Sequence, residues 1–420
     1  MTDAGVPLTR NGAAASVIVV EGGTDGEHRY AAEELRRYIA ELGGANVPIV
    51  TPSAVEGIAG NTSLILVGGP DDNSIVRDMV ESELVTFEGL GEEEFLLRGV
   101  SFGRHEVAVV GGNDEAATLY AAYDFLERLG AVFLLSKDVP PEVRPNLTFP
   151  YIDVRRTTPF PRRGILIPNI YISRGMMHLA EVKELLDQMP KLKLNYLQWS
   201  VFDLEPWINF GYRGEQKLVG DANGKETGYL AWRYQRGSHL AKDIPIGREH
   251  FDDRARIAPA EFQNVETPAE AYRVAKHFLT EVIRHAKKRH INVWLSVDPT
   301  TLPHNLSRYG RRAENWTWGT SFVLGTPMCP GDPVLHEINE DRLRALTETY
   351  PEAEGYFLFL PELYPECSHP DDKAVLAEER KHFAEIKPHI PRPEAWQAAD
   401  FTDPEVTIDS IAGSAYIARK

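Results

Sequence analysis

The chain has 420 residues, of which 43% are hydrophobic and 25% charged, and its net charge at pH 7 is −17. This length is enough for two or three domains with full cores. A protein that binds nucleic acid or an anionic membrane needs a basic surface, so the acidic excess argues against both as the main partner.

Targeting signals and cysteine patterns are also absent from the sequence. The opening residues, MTDAGVPLTRNG, contain no basic segment followed by an apolar core, and no stretch reaches the roughly 18 apolar residues that cross a bilayer. Cys329 and Cys367 are too few for a disulfide framework and lack the spacing of a zinc site, although one bridge between them stays open. The sequence therefore predicts a cytoplasmic protein without a metal site.

The first 150 residues alternate short strands with amphipathic helices. Strands are predicted over 15–20, 63–68, 92–99 and 105–112, and helices over 28–44 and 115–130. The Gly-Gly pairs at 68–69 and 111–112 match neither GxGxxG nor a P-loop, so no phosphate-binding cofactor is predicted. The pattern indicates a small α/β domain over residues 1–150.

The rest of the chain begins with a proline-rich stretch and then repeats strand and helix. Residues 138–163 carry six prolines and predict a linker, which places the domain boundary at about residue 150. Strands are then predicted over 164–171, 194–202, 291–297 and 355–360, with helices opening at Thr267-Pro268 and Asp332-Pro333. Four such units imply right-handed crossovers and a parallel sheet. We therefore predict a TIM-type (β/α) barrel over residues 151–420, complete or incomplete.

Acids and aromatic residues follow the predicted barrel strands, where the chemistry of such barrels lies. They are Asn169, Tyr171, Asp203, Glu205, Trp207, Asp298, Glu362 and Glu366. Carboxylates accept hydrogen bonds from sugar hydroxyls and tryptophan stacks on a sugar ring, so this set predicts a carbohydrate site. Glycosidic cleavage needs a protonated carboxyl, and an apolar strand end disfavours the charged form. Glu362 is therefore the predicted general acid, and Glu366, Asp298 and Trp207 are predicted to bind substrate.

Residues 193–203, KLNYLQWSVFD, resemble the second-strand motif of glycoside hydrolase family 20, which reads Lys-x-Asn-x-x-His-Trp-His-x-x-Asp. Lys193, Asn195, Trp199 and Asp203 match this motif, whereas Gln198 and Ser200 stand where the family has histidines. Arg163-Gly164 resembles the Arg-Gly that opens the family's first barrel strand. The resemblance implies that Arg163, Trp199 and Asp203 bind substrate.

The same likeness extends to the N-terminal domain and shifts the expected substrate. Residues 31–50 and 117–133 are similar to the domain that precedes the barrel in β-hexosaminidases and α-glucuronidases. Family 20 enzymes carry an Asp-Glu pair after the fourth strand, whereas this chain has Pro361-Glu362. The acid is kept and the aspartate that steers the acetamido group is missing, which favours the α-glucuronidase-like relatives. Residues 237–251 are similar to a loop of those relatives, which implies that His239 contacts substrate.

Each of these assignments has a structural alternative. Glu362 can cap the next turn or pair with an arginine, and Glu366 can be a solvated loop acid. Asp203 can be a helix N-cap, and Trp207 can belong to the small core of its own loop. Arg163 can pack against the linker.

The predicted barrel is short of residues. Residues 363–420 hold about two further strand–helix units at about 30 residues each, so the chain is part of a longer enzyme, the barrel is degenerate, or another subunit closes it. The sequence predicts a glycoside hydrolase acting on a uronic-acid or N-acetylhexosamine glycoside, with a homo-oligomer left open. The alternative is a non-catalytic carbohydrate-binding or assembly protein. The sugar, its anomer, the stereochemical outcome and the second catalytic carboxylate are not predicted.

Overall fold

The protein is represented by a computed structural model, which describes only part of the chain. The described residues are 5–22, 28–139, 141–167, 178–201, 203, 205–218, 239–240, 256–257, 260–262, 265, 267–314, 325–358, 367–370, 373–374, 377–378 and 381. The chain divides into two compact units. The first comprises residues 1–164, 184–196 and 288–291, and the second comprises 165–183, 197–287 and 292–420.

The N-terminal elements form the first unit. They are β1 (Gly5–Arg10), β2 (Ala13–Ala14), β3 (Ser16–Val19), α1 (Arg29–Gly43), β4 (Ile49–Val50), β5 (Ser63–Val67), α2 (Ser74–Glu81), β6 (Phe95–Phe102), β7 (His105–Gly112), α3 (Glu115–Arg128), β8 (Val132–Phe133), β9 (Asp138–Val139), β10 (Leu147–Pro150) and β11 (Asp153–Arg156). The main sheet has the order β11-β6-β7-β5-β3-β4, and a smaller sheet has the order β10-β1-β2. In the main sheet, β4, β3, β5 and β7 run parallel, and β6 and β11 are antiparallel to their neighbours.

Alternating side chains of the main sheet form two hydrophobic cores, one on each face. In β3, Ile18 belongs to the core that includes α1, α3 and the small sheet, whereas Val17 and Val19 belong to the core that includes α2. All strands that are central to the sheet are therefore covered on both sides, which explains their nearly continuous apolar sequences.

The helix ends of the first unit have specific caps. Gly44 ends α1 with φ of 73°, and its N–H donates to the Ala40 carbonyl at 2.9 Å. The buried Asn73 caps α2 by accepting from the N–H of Ile75 at 3.1 Å, and its Nδ2 donates to the carbonyl oxygens of Val19 and Val67. Asn73 thus joins the carboxyl ends of β3 and β5 to the start of α2.

The four predicted strands and two predicted helices of this region are confirmed, but α2 was not predicted. The predicted linker, 138–163, contains β10 and β11, which pair with β1 and β6 as part of the first unit's sheets. Both strands lie at sheet edges, where a proline such as Pro150 is tolerated because one side of the strand needs no ladder hydrogen bond.

The remaining elements follow in chain order. They are β12 (Gly164–Ile167), α4 (Leu179–Gln188), β13 (Tyr196–Ser200), β14 (Gly211–Tyr212), β15 (Glu215–Gln216), β16 (His239–Leu240), β17 (Arg256–Ile257), α5 (Pro268–Lys287), β18 (Asn292–Val297), β19 (Thr301–Leu302), β20 (Thr326–Pro327), α6 (Pro333–Thr349) and β21 (Gly355–Leu358). Short 3₁₀ turns lie at Pro52–Gly57, Pro190–Leu192, Ala260–Phe262 and Leu306–Tyr309.

The central sheet of the second unit has the order β12-β13-β18-β21, and β18 and β21 run parallel. The described strands form an open mixed α/β arrangement and no closed barrel. The predicted capping box of α5 is confirmed, because Thr267 and Glu270 exchange hydrogen bonds at 3.0 and 3.3 Å. Asp332 caps α6 by accepting from the N–H of Val334 at 2.9 Å.

Cys329 and Cys367 form a disulfide with their Cα atoms 5.8 Å apart, which answers the question that their number and spacing left open. Within the ranges that the structure describes, no helix is both long enough and apolar enough to cross a membrane.

Candidate active site at the strand ends

Two aspartates follow neighbouring strands of the second unit. Asp203 comes after β13 and Asp298 directly after β18, and both are buried. The two strand ends are joined, because Val201 N–H donates to the Ser296 carbonyl at 2.7 Å and the hydroxyls of Ser200 and Ser296 are 3.0 Å apart. The prediction that Asp203 and Asp298 share one edge of the sheet is therefore consistent with the structure.

Asp203 is held by a buried ion pair. Nη2 of Arg342, on α6, lies 3.1 Å from Oδ1 and 3.2 Å from Oδ2, and the Thr301 hydroxyl donates to Oδ2 at 3.1 Å. The side chains of Arg342 and Asp203 are 1% and 5% exposed. Burial raises the pKa of Asp203, and the positive charges of Arg342 and Lys217 offset part of that rise.

Arg342 also ties the following loop to this pair. Its Nη1 donates to the Asp298 carbonyl and its Nη2 to the Thr301 carbonyl at 2.6 Å. Its Nε has no hydrogen-bond acceptor among the described residues. Arg342 therefore fixes the backbone just past β18 as well as the carboxylate of Asp203.

Asp298 has one engaged and one unengaged oxygen. Oδ1 accepts from the N–H of Thr300 at 2.7 Å and from its hydroxyl at 2.5 Å. Oδ2 is buried and has no hydrogen-bond donor in the part of the chain that the structure describes. Burial raises the pKa of Asp298 to about 6, against the effect of the Thr300 hydrogen bonds. Since a buried acceptor without a donor is costly, Oδ2 is a natural point for a ligand hydroxyl or a water to donate a hydrogen bond.

Lys217 supplies a second buried cation. Its Nζ donates to the backbone carbonyls of Asp203 at 3.0 Å and Glu205 at 2.8 Å. Burial lowers the pKa of Lys217 to about 8, and the charge of Asp203 opposes this change. The site therefore combines two aspartates with two cations in surroundings from which water is largely removed.

Two of the predicted substrate-binding residues are tryptophans packed in an aromatic cluster. The rings of Trp199 and Trp207 meet edge to face at 5.3 Å between centroids, and both contact Phe278 of α5. Trp207 Nε1 donates to Glu205 at 2.7 Å, whereas Trp199 Nε1 is buried without an acceptor among the described residues. Both rings are largely buried in this arrangement, and their stacking on a sugar stays a prediction.

Arg163 has structural partners within the first unit. Its guanidinium pairs with Glu93 at 2.5 Å and donates from Nε to the Lys193 carbonyl at 2.7 Å and from Nη1 to the Phe160 carbonyl. Asn195 donates to the same Glu93 carboxylate at 2.8 Å. The motif residues Lys193 and Asn195 thus anchor Arg163, and its predicted contact with sugar hydroxyls stays a prediction.

Glu362 and Glu366, as well as Asn169 and Tyr171, lie outside the described residues. The backbone of His239 is described in β16, where it pairs with Ile257 of β17, but its side chain is not. Across the described ranges, no group of three His, Cys, Asp or Glu side chains could hold a metal ion.

Arg342 and Lys217 were not predicted from the sequence. Arg342 had a readable signal, because it occupies the buried stripe of α6 that also includes Leu335, Ile338 and Leu346. A charged residue in such a stripe needs a buried partner. Lys217 lies in an insertion without a periodic pattern, so its burial has no signal in the sequence.

The N-terminal part of the chain is related to glycoside hydrolases. Residues 6–125 match the family model described as "Glycosyl hydrolase family 67 N-terminus". This match confirms the resemblance that residues 31–50 and 117–133 indicate. No curated protein matches the sequence.

Three solved structures resemble the chain at low identity. The family 20 exo-β-N-acetylglucosaminidase of Vibrio harveyi, solved with N-acetylglucosamine, has 15% identity and a TM-score of 0.48 over 92% of this chain and 50% of that protein. A mutant β-hexosaminidase of Streptomyces plicatus has 14% identity and a TM-score of 0.44 over 92% and 61%. The chitobiase of Flavobacterium johnsoniae has 11% identity and a TM-score of 0.44 over 100% and 50%. The chain thus spans between 50% and 61% of these proteins, and with TM-scores below 0.5 we take nothing about activity from them.

Proposed function

We propose that this protein is a glycoside hydrolase whose active site lies at the strand ends of the second unit. The match of residues 6–125 to the family 67 N-terminus carries the assignment to this class. The paired Asp203 and Asp298 support the location, since they bring buried carboxylates to the edge where the chemistry of strand–helix enzymes lies.

In this proposal Glu362 is the general acid. It donates its proton to the glycosidic oxygen as the bond to the sugar carbon breaks, so the leaving group departs as a neutral alcohol. Asp298 Oδ2 accepts a hydrogen bond from a sugar hydroxyl. Arg342 and Lys217 hold Asp203 and the two loops in place, and their charges act strongly because the site is dry.

The proposed substrate is a uronic-acid or N-acetylhexosamine glycoside. Pro361 stands where family 20 enzymes have the aspartate that steers the acetamido group, which favours the uronic acid. We also propose that the four-stranded sheet is part of a TIM-type barrel over residues 151–420, preceded by a domain over 1–150.

The cytoplasmic location that the sequence favours is weakened by one finding. Disulfides are rare in cytosolic proteins, and Cys329 and Cys367 form one. Fractionation of the cells that produce the protein would test the location.

A non-catalytic carbohydrate-binding protein is the second candidate. It is favoured by the state of Asp203, because Arg342 and Thr301 engage both carboxylate oxygens and leave the group committed to structure. Such a protein would bind a sugar at the same edge without cleaving it.

A panel of aryl glucuronides, xylosides and N-acetylglucosaminides tests the proposal. We expect the wild-type protein to release the aryl group from at least one of them, and Glu362→Gln to lose most of that activity. The control is Glu348→Gln on the exposed face of α6, which should keep it. A sugar that raises the melting temperature without being cleaved would favour the binding protein.

A further inference from the structure

A cavity of about 340 Å³ lies in the first unit, between the C-terminal end of α2 and the edge of the main sheet. Its apolar lining includes Val80, Val85 and Leu96, the last two of which are buried. All residues that line it belong to the first unit. The volume lies within the range of small-molecule sites in proteins.

The sheet register places two arginines side by side on this cavity. Arg98 of β6 pairs across the strands with Asp153 of β11, and Arg155 pairs with Leu96. Residues two apart in a strand project from the same face, so Arg98 and Arg155 line the same side of the cavity. The edge strand β11 therefore presents a carboxylate and a guanidinium next to the guanidinium of β6.

The guanidinium groups of the cavity have more donors than the described residues use. Arg98 Nη1 donates to Asp153 at 2.7 Å, and Arg155 Nη2 donates to the Glu88 carbonyl. Arg98 Nε is buried without an acceptor among the described residues. Each guanidinium carries five N–H donors, so the pair can serve an acceptor-rich ligand such as a carboxylate.

Glu83 lines the cavity in a backbone conformation that usually belongs to glycine. Its φ is 59°, and it ends α2 in a Schellman motif, with Glu83 N–H donating to Val80 and Leu84 N–H to the Met79 carbonyl, both at 3.0 Å. Glycine is the usual residue at this position because it has no Cβ. Non-glycine residues held in this region concentrate at ligand sites, so the charged side chain at position 83 is a second pointer to a ligand.

We propose that this cavity binds a small hydroxylated carboxylate of sugar size, such as a sugar acid. Arg98 and Arg155 pair with its carboxylate, and Glu83 and Asp153 accept hydrogen bonds from its hydroxyls. The two acids also repel a simple anion, which separates this ligand class from phosphate or sulfate. The proposal does not depend on catalysis at the strand ends.

Isothermal titration with sodium D-glucuronate tests the site. We expect glucuronate to bind the wild-type protein, and D-glucose and inorganic phosphate to bind at least tenfold more weakly. Arg155→Gln should weaken glucuronate binding at least tenfold. The control is Arg10→Gln, an exposed arginine away from the cavity, which should bind as the wild type does.

Asp298→Asn separates this site from the strand-end site. Glucuronate binding that survives Asp298→Asn and is lost in Arg155→Gln supports the proposal. The reverse pattern would place the sugar acid at the strand ends and overturn it, and so would equal binding of phosphate and glucuronate.

Glu83→Gly distinguishes a ligand role from a helix cap. Glycine relieves the backbone conformation, so the melting temperature should rise while glucuronate affinity falls at least threefold. A higher melting temperature with unchanged affinity would show that Glu83 only ends the helix and would overturn its part in the site.

Discussion

Arg342 and Asp203 lie 139 residues apart in the chain and form an ion pair that is almost wholly removed from water. The pair joins α6 to the loop after β13, and the same guanidinium holds the backbone after β18. Each partner is buried together with a charge that needs the other, so the arrangement is sensitive to the loss of either one.

Arg342→Met tests this dependence on stability. The variant leaves the carboxylate of Asp203 buried without its cation, so we expect the free energy of unfolding in urea to fall by about 3 to 5 kcal/mol. Arg344→Ala is the matched control, because Arg344 is an exposed residue of the same helix and should change stability by less than about 0.5 kcal/mol.

The double variant Asp203→Asn with Arg342→Met removes the buried charge altogether. We expect it to recover part of the lost stability, since no uncompensated charge remains. Equal losses for the double variant and for Arg342→Met alone would mean that packing, and not charge, dominates at this position.

Asp298 should make stability depend on pH in one direction. Its pKa in the folded protein is about 6 against an ordinary value of 3.8, so the folded state favours the protonated form. The stability that protonation contributes is fully present below pH 3.8 and is lost as the pH rises through 6.

Asp298→Asn is expected to remove this loss, because the amide oxygen can still accept the two Thr300 hydrogen bonds. The stability of the variant relative to the wild type should therefore rise by about 3 kcal/mol between pH 4 and pH 7, from about two pKa units at 1.36 kcal/mol each. Denaturant unfolding across that range measures it, with the exposed Asp78→Asn as control. A relative stability that stays flat or falls would show that Asp298 is ionised as easily in the folded state as in the unfolded one.

The Cys329–Cys367 disulfide should stabilise the second unit. It closes a loop across a separation of 38 residues, for which loop-closure entropy gives roughly 4 kcal/mol at 25 °C. Dithiothreitol should lower the melting temperature of the wild type and leave that of the Cys329→Ser/Cys367→Ser variant unchanged. Two free thiols in the denatured, unreduced wild type would contradict the bridge.

Local patterns in the sequence predicted most of the elements that the structure describes. The capping box at Thr267 and the glycine at position 44 fix helix ends through contacts a few residues away, so a short stretch of sequence contains the whole signal. The helix α2 was missed because only eight residues form it and its cap, Asn73, relies on carbonyls of two separate strands.

The candidate site was less readable because it depends on distant partners. Asp203 and Asp298 were found from their places after strands, since topology brings strand ends together. The ion pair of Asp203 with Arg342 could not be derived, because no local pattern links residues 139 positions apart. Proline content also misled the prediction for 138–163, where β10 and β11 are edge strands that tolerate it.

Leaving-group dependence of Glu362→Gln tests the central claim most directly. For the best substrate of the panel, hydrolysis rates of the wild type and the variant are compared on an alkyl glycoside and on an activated aryl glycoside of the same sugar. A general acid is needed only when the leaving group is poor, so we expect the variant to lose at least about 100-fold on the alkyl glycoside and to keep most of the first chemical step on the aryl glycoside. Equal losses on both substrates, or wild-type rates on the alkyl glycoside, would contradict the role of Glu362 as general acid.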